Sequence, residues 1–86
     1  MIHLKGMAAM QPPMVGNWNI QLHAVRPFTI HGDVYYEVHA IRTDDPLQQM
    51  FALRIPQHLV MQPPATGESW RLTFLMGQVT GAVKIT

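Results

Sequence analysis

The chain has no cysteine, few charges and no long apolar run. Without cysteine there are neither disulfides nor thiolate metal sites. Small secreted domains generally depend on such staples, so the cytoplasm is the expected compartment. Only 13% of the residues are charged, against roughly 25% in an average globular chain. Hydrophobic residues reach 48%, yet no apolar stretch approaches the roughly 18–20 residues needed to cross a bilayer, and no membrane partner is expected. Such a surface leaves neutral area for a protein partner, and a second copy or a larger assembly is the simplest one. Six Lys/Arg against five Asp/Glu give a net charge of +1, which is not the footprint of a strong duplex-DNA binder.

Catalytic signatures are missing as well. There is no glycine-rich phosphate loop and no nucleophile elbow. Asp44 and Asp45 stand directly before Pro46, where adjacent acids usually build a turn. The five histidines show no ligand spacing and have no cysteine beside them, so no metal site is expected. We therefore expect a non-enzymatic protein without a cofactor.

What is present is alternation. The 86 residues suffice for one domain. Residues 1–16 have no sustained period and are expected to form a flexible leader, followed by a domain over 17–86. From Asn17, polar and apolar residues alternate, with Trp18, Ile20, Leu22 and Ala24 expected inward. Val25, Arg26 and Pro27 interrupt this strand, and proline there predicts a bend, a bulge or an edge. It resumes over Phe28–Ile30. His31, Gly32 and Asp33 read as a hairpin loop.

The second strand, "DVYYEVHAIR", sends Val34, Tyr36, Val38 and Ala40 inward and Tyr35, Glu37, His39 and Ile41 outward. A third strand puts Phe51, Leu53 and Ile55 inward and Met50, Ala52 and Arg54 outward. Pro56 stops it, and "QHLVMQ" is expected as a short helix or plug. The fourth strand places Trp70, Leu72, Phe74 and Met76 inward, with a turn at Gly77–Gln78. The last strand places Val79, Val83 and Ile85 inward and Thr80, Ala82 and Lys84 outward, with Gly81 breaking the series.

The order strand, strand, strand, plug, strand, strand resembles the oligonucleotide/oligosaccharide-binding (OB) fold. The residues that carry the resemblance are the long interrupted first strand, the plug "QHLVMQPP" and the run "PPATGESWRLTFLMGQVTG". The resemblance covers residues 17–86 and implies an all-β, five-stranded Greek-key barrel with a short helix or plug between strands 3 and 4. It is similar to single-strand-binding, primosomal and RecD-like helicase accessory domains, and it implies binding of single-stranded nucleic acid, DNA first, with weak sequence preference. The C-terminal "GAVKIT" departs from the acidic tail of bacterial single-strand-binding proteins.

In such domains the face of strands 2 and 3 is the usual ligand platform. Here it would offer Tyr35, His39 and Arg54 for base stacking, with His23 nearby on strand 1 and Arg42, Arg71 and Lys84 as phosphate contacts. A bland alternative stands beside it. Tyrosine is common on strands for its β propensity, Arg54 can pair with Glu37 across the sheet, and outward Met50, Ala52 and Ile41 suit a protein interface equally. The competing expectation is thus an interaction or oligomerisation module that binds no nucleic acid.

Overall fold

The computed structural model describes residues 13–86. The expected leader lies outside the described residues over 1–12, and its last residues enter the first strand. The elements are β1 (Val15–Ile30), β2 (Asp33–Arg42), β3 (Phe51–Pro56), a single 3-10 turn (Gln57–Leu59), β4 (Ser69–Leu75) and β5 (Gln78–Lys84). The expected plug is this 3-10 turn, with Pro56 as its extended N-cap. All ladders are antiparallel, in the order β3-β2-β1-β4-β5. Among the described residues the sheet does not close on itself, and β3 and β5 are its two edges.

The long β1 is shared by both halves of the sheet. Its first part pairs with β4 and its later part with β2. The inner face collects Ile20, Leu22, Tyr36, Val38, Ala40, Phe51, Ile55, Trp70, Leu72 and Phe74 into one buried cluster. These residues share a face because side chains alternate with a period of two. Trp18 closes one end of the cluster, edge-to-face with Phe51 at 5.3 Å and with Phe74 at 5.2 Å. The expected packing role of both tryptophans agrees with these positions.

Two bulges change the faces expected from alternation. In β1 the register slips between Leu22 and Ala24, leaving His23 as the extra residue. A one-residue slip reverses every later side chain. Ala24 therefore faces outward, not inward, Val25 turns toward the core, and Phe28 comes out opposite Tyr35. In β5 the slip lies opposite Thr73 and Phe74, and Thr80 is the extra residue. After it Ala82 packs on the core, whereas Val83, expected inward, is 65% exposed. Lys84, expected outward, lies on the side of Trp70.

The β1–β2 and β4–β5 hairpin loops have two residues each. Ile30 pairs with Asp33 around His31 and Gly32, and Leu75 pairs with Gln78 around Met76 and Gly77. All four loop residues have positive φ, from 50° to 90°: His31 51°, Gly32 86°, Met76 55° and Gly77 78°. Positive φ at both centres is the type I′ turn, whose twist matches that of the strands it joins. The second turn thus falls one residue earlier than expected. Met76 sits in it, exposed rather than in the core. Ile41, expected on the outer face, is buried outside the inner cluster.

Candidate ligand-binding face

The outer face of β1–β2–β3 is built by the ladder register. Phe28 faces Tyr35, Arg26 faces Glu37, and Ala24 faces His39. On the other side of β2, Tyr35 faces Pro56, Glu37 faces Arg54, and His39 faces Ala52. The Phe28 and Tyr35 rings stack, with centroids 5.7 Å apart and planes at 26°. The Arg54 guanidinium carbon lies 5.2 Å from the centre of the Phe28 ring. A guanidinium, a phenyl ring and a phenol thus form one continuous surface.

Glu37 could have taken Arg54 as its ion partner. It takes Arg26 instead, at 2.6 Å. That hydrogen bond is the main cause holding the Glu37 carboxyl below its ordinary 4.5; burial opposes it, and the charges of Arg26, His39 and Arg54 add to the lowering. Arg54 is left with an aromatic neighbour and no carboxylate pair among the described residues. An exposed cation–π contact of this kind is worth about 0.5–1 kcal/mol.

Two clefts flank the Tyr35–Pro56 pair. One, of about 290 Å³, lies between the β1–β2 turn and the 3-10 turn, and Asp33, Gln57 and His58 line it with Tyr35 and Pro56. The other, of about 550 Å³, opens in the seam between the two sheet edges. Its floor holds Leu53, Phe74 and Val79, and its rim holds Tyr35, Arg54 and Gln78. Tyr35 and Pro56 line both. They lie between a cleft lined by Asp33 and one lined by Arg54.

The remaining expected site residues are dispersed. His23 is the exposed bulge residue of β1. Arg42 reaches back over Trp18, 4.8 Å from its ring, and grips Asp44 with two hydrogen bonds of 3.1 and 3.0 Å. Arg71 donates to Asn19 Oδ1 at 3.1 Å on the β1–β4 half. Lys84 pairs with Glu68 at 3.2 Å. The structure therefore places Tyr35, His39 and Arg54 on one face, where Tyr35 and Arg54 line a common cleft, and holds Arg42, Arg71 and Lys84 elsewhere. Phe28 was missed because the interruption expected at Val25–Pro27 left the face of the resumed strand open, while the bulge itself lies at His23. The signal was the adjacent apolar pair Ala24–Val25, which no strict alternation accommodates.

Among the described residues, no three His, Cys, Asp or Glu side chains come together as a metal site would require. No described helix is long and apolar enough to cross a membrane. No protein-family model, curated protein or solved structure matches the chain.

Proposed function

We propose that this chain is a non-enzymatic, OB-type domain that takes single-stranded nucleic acid, DNA first, on the outer face of β1–β2–β3. The fold part of the reading rests on strand order. In β4-β1-β2-β3 the fourth strand lies beside the first, an order that supports a Greek-key reading. β3 and β5 approach each other across the seam where a barrel would close.

The observation that carries the binding part is the Arg54–Phe28–Tyr35 surface. Bases stack on rings and guanidinium planes for roughly 1–3 kcal/mol each, whatever their identity, while a cation follows the phosphates. Three of the five described cations are already paired: Arg26, Arg42 and Lys84. Stacking is therefore the main source of affinity, and the electrostatic contribution is small.

The test is a fluorescence-anisotropy titration at low salt, with a labelled mixed-sequence single strand and the matching duplex. The single strand binds and the duplex does not. Tyr35→Ala weakens single-strand binding by roughly 1–3 kcal/mol. Absence of single-strand binding at high protein concentration refutes the reading.

A second reading has its own observation. Val15 and Leu75 face each other across the β1–β4 ladder, and they are 72% and 52% exposed, beside exposed Met14 and Met76. Apolar side chains grouped in this way suit a protein interface. Sedimentation over a range of concentrations separates the two readings: self-association that Leu75→Lys abolishes, with no oligonucleotide binding, favours the interaction module.

A further inference from the structure

We infer that the smaller cleft, beside Tyr35, selects a base that carries an exocyclic amino group, with Asp33 as the selecting residue. The inference rests on the nucleic-acid reading above and gives it a base preference at one position.

An asymmetry runs across the Tyr35–Pro56 pair. Arg54 stands on one side, and Asp33 with Gln57 and His58 stands on the other. A nucleotide has the same asymmetry, with an anionic phosphate at one end and a hydrogen-bonding base edge at the other. A phosphate goes toward Arg54 and is repelled by Asp33. The base then falls on the Asp33 side, with the Tyr35 ring as its wall. The cleft volume of about 290 Å³ is at the lower limit of roughly 300 Å³ for small-molecule pockets, which suits a single base.

Asp33 makes no ion pair among the described residues. An ionised carboxylate only accepts hydrogen bonds. It therefore accepts from an amino group, as acidic side chains do from the N4 amine of cytosine. Facing the O4 carbonyl of uracil, it meets a second acceptor and repels it. Gln57 and His58 can each donate to the ring nitrogen beside that amine, N3 in cytosine, which carries a hydrogen in uracil and cannot accept there.

Oligo-dC and oligo-dU give the sharpest comparison, because the two bases differ only at this edge. The full chain is titrated with labelled single strands of each, alongside Asp33→Asn and Asp33→Ala, with circular dichroism confirming that each variant is folded. The wild type prefers dC by about five- to ten-fold, the lower part of the range that one good base contact supplies. Asp33→Asn, whose amide both donates and accepts, binds dC and dU alike. Asp33→Ala likewise loses the preference, because it removes both the acceptor for the amine and the repulsion of O4. The readout is the dC/dU ratio within each variant, in which any general effect of the lost charge on the phosphates cancels. Equal wild-type affinities for dC and dU overturn the inference and leave the stacking reading standing, as does a dC preference that survives Asp33→Ala. Binding of neither oligonucleotide overturns both.

Discussion

Phe28 and Tyr35 face each other across the β1–β2 ladder with their rings stacked at 5.7 Å. Neither ring belongs to the inner cluster, so the pair is an outer-face feature with its own energy. Such pairs contribute about 0.5–1.5 kcal/mol beyond the area they bury. A double-mutant cycle of Phe28→Ala and Tyr35→Ala, followed by urea unfolding, should show a coupling energy of about that size. Zero coupling would mean that the rings do not meet in solution.

The β5 bulge makes a prediction that strict alternation reverses. Val83 is exposed and Ala82 packs against the core. Val83→Lys should therefore change stability by no more than about 0.5 kcal/mol, as surface substitutions do. Ala82→Asp should cost roughly 1–3 kcal/mol by placing an unpartnered polar group at the core's edge. Chemical-denaturation midpoints of the two variants decide between the registers.

Met76 adopts φ of 55° at the first centre of a type I′ turn. Asparagine tolerates that conformation far better than an unbranched apolar residue does. Met76→Asn should raise stability by about 0.5–1 kcal/mol, read as a higher melting temperature. A lower melting temperature would show that the methionine side chain makes a contact worth more than the strain.

Glu68 links three parts of the chain. Its carboxylate accepts from Trp70 Nε1 at 2.9 Å and from the Ala65 backbone N–H at 3.0 Å, and it pairs with Lys84 at 3.2 Å. The Trp70 bond is the main cause holding its pKa below the ordinary 4.5, with the Ala65 bond next; burial opposes them, and Lys84 adds to the lowering. A depressed folded-state pKa stabilises the fold above the unfolded value, and that contribution is lost as pH falls through the folded value. The melting temperature should thus decline below about pH 4.5, and Glu68→Gln should flatten the decline. Glu37 and Asp45 are shifted in the same direction, so part of the slope should persist in that variant.

The proposed binding has a salt signature. Single strands lose affinity with a slope of about −0.7 per phosphate neutralised. Arg54→Ala should reduce the slope by about that amount. Arg42 is held by Asp44 and covers Trp18, so Arg42→Ala should lower the melting temperature and leave the slope unchanged. The reverse pattern would move the binding face to the Arg42 end of β2.

Much of the fold is legible in the residues themselves. Ile20, Leu22, Tyr36, Val38, Ile55, Trp70, Leu72 and Phe74 fall on inward positions by alternation alone, and all are buried. Gly32 announces the first hairpin, and Pro56 the end of β3. These are local properties, because the period of a strand and the φ preferences of glycine and proline require no knowledge of the partner strand. The placement of Tyr35 on one face and Tyr36 on the other belongs to the same class.

Tertiary structure decided the rest. The position of a bulge depends on which residues of two distant strands align, and alignment is a property of the pair. The slip at His23 brought Phe28 out to Tyr35 and Arg54, and the slip at Thr80 exposed Val83 and took Lys84 to Glu68. Glu37 faces both Arg26 and Arg54 across its two ladders, and only side-chain geometry gave it to Arg26. Alternation determined which residues of each regular stretch share a face; the pairing register determined which faces of different strands meet.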